Sequence, residues 1–384
     1  MHAEWRAVRR VPDGPQRGCA SPYPGRPGPV SGASRAQRCP MQSQLGSEGP
    51  MAHLKQQFKD ALSSIEPRDD KTNAPEAHRL VRDVLEADSK LAEYGVSPVL
   101  IGSYKRNVSI RRIKDVDVFV RLADVPGNVT STDILDRFFK VLHAEFGTDS
   151  DGHRRTKRQD RSLQVSFPEY DLYVDAVPAR PFGDGTWEIP QKGDGNEWVR
   201  TNPDGLTELS SAMNADHDEY YVPTVKLLRQ TRRALLGGKK PGGFFIEMAA
   251  YQAFASGAVT GGDQAEYYVC VLREVSKIVD DFVTYGIAVT DPTLPGRTIR
   301  IRATDDELDT ARTRFADAAT LAEAALDEED EGQAALAFRK LLGKNGDGDT
   351  VFPMPPGFNE DGSKKASAIS PGARIVPAGK RTFG

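Results

Sequence analysis

The chain has 384 residues and carries 51 Lys plus Arg against 55 Asp plus Glu. It is too long to be a small stapled scaffold, and its charge is too balanced for whole-chain binding to nucleic acid or a membrane surface, so any electrostatic function must be local. Cys19, Cys39 and Cys270 lie far apart without His or Cys partners at ligand spacing, which argues against a disulfide framework and a structural zinc site and suits a reducing cytoplasm.

Residues 1–50 are dominated by Pro, Gly, Ser and Arg, with no apolar periodicity and no signal-peptide core. They read as a disordered prefix upstream of a translation start at Met41 or Met51. From Ala52 the pattern becomes helical: Leu54, Phe58, Leu62 and Ile65 recur about one turn apart, and "APEAHRLVRDVLEADSKLAEYG" repeats this up to a stop at Gly95. Strand-like runs follow at "PVLIGS", "DVDVFVRL", "SLQVSF" and "YDLYVDAV", with the helix "STDILDRFFKVLHAEFG" between the second and third. After Asn214 the pattern is helical, and from Lys344 Gly, Pro, Asp, Ser and Lys prevail. The most apolar stretch, "GGFFIEMAAYQAFASGAV", is interrupted by Glu247 and falls short of the roughly 20 residues that span a bilayer, so no membrane partner is expected. The fold class is therefore α+β, a mixed sheet with a helical second lobe. The expected divisions are a catalytic lobe over 51–213 that includes the N-terminal helices, a helical lobe over 214–343, and a loop and flexible tail over 344–384.

Successive side chains of a strand point to opposite faces, so Asp115 and Asp117 share one face while Val116 and Val118 turn to the core. Two like charges beside a buried run repel and cost stability unless a cation compensates them. Oxygen-only ligands favour a hard ion, Mg²⁺ or Mn²⁺. A third carboxylate is expected from "YDLYVDAVPAR": with Leu172 and Val174 on the core face, Asp175 is the first candidate and Asp171 the second. Gly102 lets backbone approach closely, and the Ser103 hydroxyl with neighbouring N–H groups can hold phosphate oxygens. A phosphate-holding turn beside carboxylates that hold two metals describes phosphoryl or nucleotidyl transfer.

"GSYKRNVSI", "DVDVFV" and "VDAVPA" resemble the polymerase-β-type nucleotidyltransferases, and specifically the CD-NTase family of cyclic-oligonucleotide synthases. "EWVRTNPDG", "VKLLRQTRR", "GGFFIEMA", "VTDPTLPG" and "FRKLLG" extend the resemblance over about 54–358. Two positions depart from the family pattern: Val108 stands where a Thr is usual after the Gly-Ser turn, and Arg229, Gln230 and Thr231 stand in place of Lys-x-Trp. The resemblance implies an NTP cleft between two lobes, with Asp115, Asp117 and Asp175 as catalytic metal ligands and Gly102 and Ser103 cradling a triphosphate. Arg106, at the family's Arg position, and Lys226 or Arg229 would add phosphate contacts. It implies a cyclic di- or oligonucleotide second messenger that switches on an antiphage effector, and for some members conjugation through a C-terminal glycine, here Gly384, to a ubiquitin-transfer-like partner. Alternatives are a transferase that modifies RNA or protein, and an inactive nucleotide or nucleic-acid sensor.

Two basic clusters stand out. Lys105, Arg106, Arg111, Arg112 and Lys114 flank the expected metal site and either hold phosphates or merely balance the acidic trio. "HRRTKRQDRS" places Arg154, Arg155, Lys157, Arg158 and Arg161 in a strand-and-turn region that either binds phosphates or is a charge-guarded sheet edge.

Overall fold

The computed structural model describes residues 54–68, 70–191 and 197–366. The expectations on 1–50 and on Gly384 lie outside these residues. In chain order the elements are α1 (Lys55–Ile65), α2 (Asp70–Glu86), α3 (Ser89–Glu93), β1 (Val96–Leu100), α4 (Gly102–Lys105), β2 (Asp115–Leu122), α5 (Ser131–Phe146), β3 (Thr156–Arg158), β4 (Leu163–Phe167), β5 (Leu172–Pro181), β6 (Trp187–Gln191) and β7 (Glu197–Thr201). Then follow α6 (Pro203–Asp216), α7 (Tyr221–Leu236), α8 (Gly243–Ala255), α9 (Gln264–Tyr285), α10 (Asp305–Asp327) and α11 (Glu331–Leu342).

The sheet runs β1-β2-β5-β4-β3, with β6 added to the far end of β5 and β7 to β6. Only β2 and β5 are parallel; the other pairings are antiparallel. The alternation in β2 decides which face is covered: Val116, Val118, Val120 and Leu122 are buried in one core with α2 and α5. Helix α5 contributes Ile134, Leu135, Phe138 and Leu142 to that core and starts at a reciprocal capping box between Thr130 and Asp133. The opposite face carries Asp115 and Asp117.

A second core joins α7 to α11. Helix α1, grouped with the catalytic lobe in the sequence reading, puts Leu54, Phe58, Ala61 and Ile65 into this helical core, where the Phe58 ring packs edge-on to Phe338 at 5.0 Å and Phe352 at 5.1 Å. Its periodicity shows an amphipathic helix but carries no address for the face that covers it. The expected tail also contributes: Val351 and Phe352 are buried in the same core. The helical region begins earlier than expected, at α6, whose N-cap Asn202 accepts from the Gly205 N–H at 2.9 Å. No helix among the described residues is long and apolar enough to cross a membrane.

Candidate active site

In the parallel pair of β2 and β5, Asp117 lies directly opposite Asp175, and Asp115 opposite Tyr173. Partners in register share a face, so the three aspartates form one group on the open side of the sheet. Asp171, the second candidate for third ligand, is not part of it. It precedes β5 in a left-handed conformation, φ 52°, and its exposed carboxylate pairs with the Lys114 ammonium.

Gly102 opens the single-turn helix α4 with φ +78°, a conformation that disfavours any side chain. A Cβ there would stand 2.1 Å from Asp117 Oδ2, so only glycine lets this backbone pass so close to the carboxylate. The Ile101 N–H also donates to the Asp117 carbonyl at 3.2 Å, tying the turn to β2. Ser103 Oγ lies 3.0 Å from Ser109 Oγ, and its carbonyl accepts from the Val108 N–H at 2.9 Å. The hydroxyl missing at Val108 is thus offered one residue later, while the Val108 side chain is buried in the helical core.

The electrostatics are those of crowded, partly buried acids. Burial, then the charges of Asp115 and Asp175, push the Asp117 carboxyl up to about 7, against a smaller opposing pull from Arg106. Burial and Asp115 push Asp175 up to about 6, opposed by a hydrogen bond from Gln164. Among the described residues no Lys, Arg or His forms an ion pair with any of the three, and Asp175 Oδ1 is buried without a hydrogen-bond partner. No three His, Cys, Asp or Glu side chains among the described residues converge into a ready-made cage. The donor set nevertheless suits a divalent ion: oxygen atoms only, mutually repelling, with one buried oxygen unused.

A cavity of about 440 Å³ opens beside this group. Gly102, Ser103, Asp115 and Asp117 line one side, and Arg229, Phe244 and Glu247 of the helical lobe line the other. Asp175 is joined to the pair by register and does not itself line the cavity. Arg106 does line it, but its Nε donates to Glu247 Oε1 at 2.6 Å and Nη2 to Oε2 at 3.1 Å. Arg229 Nη1 donates to the same Oε2 at 3.1 Å, and its Nε is buried without a partner. Glu247, fully buried, therefore latches the phosphate turn to α8. The sequence signals it as a charge interrupting an apolar helix, within the "GGFFIEMA" stretch that carries part of the family resemblance.

Lys226 is not brought to the cavity. Its ammonium is buried against Glu66, with Asn107 Oδ1 at 3.4 Å. Gln230 and Thr231 are structural too: the former donates to the carbonyls of Leu342 and Lys344, the latter bonds Tyr268 and Leu227. Arg111 and Arg112 both pair with Asp347, which pins the Lys344–Thr350 segment against the catalytic lobe. Of the first basic cluster, then, three cations are spent on Asp347 and Asp171.

Residues 51–214 match the Second Messenger Oligonucleotide or Dinucleotide Synthetase domain. The cyclic AMP-AMP-AMP synthase of an Acinetobacter strain is 29% identical over 313 residues, covering 78% of this chain and 87% of that protein. Residues 51–214 thus carry a synthetase domain of the CD-NTase kind. Among solved structures, CdnC of E. coli MS115-1 with ATP superposes with a TM-score of 0.59 at 17% identity, over 78% of this chain and 98% of that one. CdnG of Bradyrhizobium diazoefficiens with GTP gives 0.56 at 16%, over 76% and 98%. These two likenesses fix the fold, polymerase-β-like with a helical lobe. The domain match and the named synthases support a nucleotidyltransferase that makes cyclic oligonucleotide second messengers, of the kind used in CBASS. The family generally uses divalent metal ions.

Proposed function

We propose that Asp115, Asp117 and Asp175 hold Mg²⁺ or Mn²⁺, and that the cavity between the lobes is where two NTPs are joined. The observation that carries this is the register: two strands place Asp117 opposite Asp175, two residues from Asp115, beside a glycine whose Cβ would collide with Asp117 Oδ2. A bound divalent ion would supply charge neutralisation at the triphosphate and a lowered pKa at the attacking hydroxyl. The chain's own residues bind and orient. Gly102 and Ser103 present N–H and hydroxyl donors to the triphosphate, and Arg229 lines the same cavity as a further cation. Arg106 acts one step away: anchored on Glu247, it fixes the turn rather than clasping a phosphate. The ribose hydroxyl of one nucleotide forms the new bond to the α-phosphorus of the next as the bond to pyrophosphate breaks, and repetition followed by ring closure gives a cyclic product.

ATP is the substrate favoured by the relative that spans both lobes, a cyclic AMP-AMP-AMP synthase. The product would act through a CBASS effector. Full-length protein incubated with labelled NTPs and Mg²⁺ or Mn²⁺ should give a phosphatase-resistant cyclic species, identified by mass, that is lost in Asp115→Ala with Asp117→Ala. Label appearing in an RNA or protein band instead would establish the macromolecule-modifying reading, and nucleotide binding that survives without any transfer under either metal would establish the sensor.

A further inference from the structure

Part of the second basic cluster forms something larger than a guarded sheet edge. A groove of about 810 Å³ lies between the β3–β4 turn, the start of α8 and the segment 299–302. This is within the range of small-molecule sites. Among the described residues six cations line it, Lys157, Arg158, Arg161, Lys240, Arg300 and Arg302, against one carboxylate, Asp160.

That carboxylate lies 3.5 Å from Arg302, and Arg158 turns out to Asp136, which leaves the groove strongly positive. Arg161 is the most telling member. Its Nε is buried with no hydrogen-bond partner, and burial together with the charges of Arg302 and Arg300 pulls its guanidinium below the usual arginine range. Six cations only partly compensated by acids call for a polyanion, as crowded carboxylates call for a metal.

The groove adjoins the candidate active site. Phe244, 47% exposed, lines both cavities, and Gly242 of the groove adjoins Gly243, beside the Arg229 guanidinium. Resting on the nucleotidyltransferase reading, the chemistry then supplies a ligand. The donor nucleotide loses its pyrophosphate at the carboxylates. The acceptor strand must present its 3′ end there while keeping its own 5′-triphosphate intact until ring closure. That second triphosphate needs a separate cationic berth near the first, or the linear intermediate dissociates.

We propose that this groove holds the 5′-triphosphate of the acceptor strand, retaining the linear oligonucleotide between additions. A duplex nucleic acid is the rival occupant. The size of the groove and its place beside the active cavity favour the shorter polyanion.

The test uses the full chain in EDTA, where the three carboxylates repel triphosphate from the donor position. The probes are a synthetic 5′-triphosphorylated diadenylate and the same diadenylate without its triphosphate. The wild type should prefer the triphosphorylated form by at least about tenfold, and Lys240→Gln with Arg300→Gln, both exposed, should remove most of that preference. Arg161→Gln should do the same, and with Mg²⁺ both variants should release linear intermediate in place of cyclic product. An unchanged preference in the folded double variant overturns the proposal. So does a short duplex whose binding the double variant loses while triphosphate binding survives. If the wild type makes cyclic product and the variants match its binding and product ratio, the groove assignment fails and the enzymatic reading stands. If the wild type makes no cyclic product yet its triphosphate preference depends on these residues, the enzymatic reading fails and the phosphate groove stands.

Discussion

Asp117→Asn should stabilise the metal-free protein at pH 8 while abolishing activity. The carboxyl is pushed from 3.8 to about 7, chiefly by burial and then by Asp115 and Asp175. Between roughly pH 4 and 7 the folded chain therefore holds a proton that the unfolded chain has released, so stability falls as pH rises through that window and the full penalty applies above it. At about 1.4 kcal/mol for each pH unit, the upper bound is on the order of 4 kcal/mol. Solvent at the half-buried site and proton sharing with Asp175 reduce this to about 2–3 kcal/mol. Asparagine keeps the shape and removes the charge. The assay is thermal unfolding in EDTA at pH 5 and pH 8 for both proteins. The wild type should be less stable at pH 8 than at pH 5, with the variant losing much less. Adding Mg²⁺ or Mn²⁺ at pH 8 should raise the wild-type melting temperature in a concentration-dependent way, and the variant's little, because an ion that binds only the folded state stabilises it by mass action. A variant less stable than wild type at pH 8 in EDTA, or an equal pH slope in both, would refute the argument that uncompensated acids crowd this face.

Three further outcomes follow from the geometry. Gly102→Ala should cost roughly 1–2 kcal/mol for the left-handed backbone and, by displacing Asp117 Oδ2, lower the rate of nucleotide joining by about a hundredfold; a folded variant of near-normal activity would contradict the close approach. Glu247→Ala leaves the Arg106 guanidinium buried and unpaired, so denaturant unfolding should show a loss of about 3–5 kcal/mol, with Glu247→Gln recovering part of it; a loss below about 1 kcal/mol would mean the latch is not structural. Phe58→Ala should cost about 3–5 kcal/mol, and a truncation that removes α1 should unfold the helical core before the sheet, read by hydrogen exchange in α7 and α9; early loss of protection in β2 and β5 instead would return α1 to the catalytic lobe.

The local alternation of "DVDVFV" and "LYVDAV" was enough to place Asp115, Asp117 and Asp175 on one face, because side-chain direction in a strand depends only on residue parity. It ranked Asp175 ahead of Asp171 without excluding the latter, since that needed the point where β5 begins, and Asp171 sits before it in a left-handed turn. Strands β6 and β7 and the start of α6 were not separated, because the apolar alternation is weak and Pro190 alone of the two strands' described residues is buried. The basic residues were the least legible. A cation in a sequence has no visible partner, and here Arg111, Arg112, Lys114 and Lys226 are taken by acids 57 to 236 residues away in the chain, each in a pairing that only the folded chain reveals.

What the sequence determined by itself was chemistry: oxygen ligands for a hard ion, a glycine-serine turn for phosphate, a mixed sheet to carry them and a helical lobe to close over them. Those features are local, fixed by residue type, parity and helical period. What only the tertiary structure decided was company: that α1 belongs to the helical core, that Arg106 leans on Glu247, that Asp347 holds the C-terminal segment to the catalytic lobe, and that six cations from three separate segments face one another across a groove. Burial and ion pairing are properties of two surfaces meeting, and a linear chain states only one surface at a time.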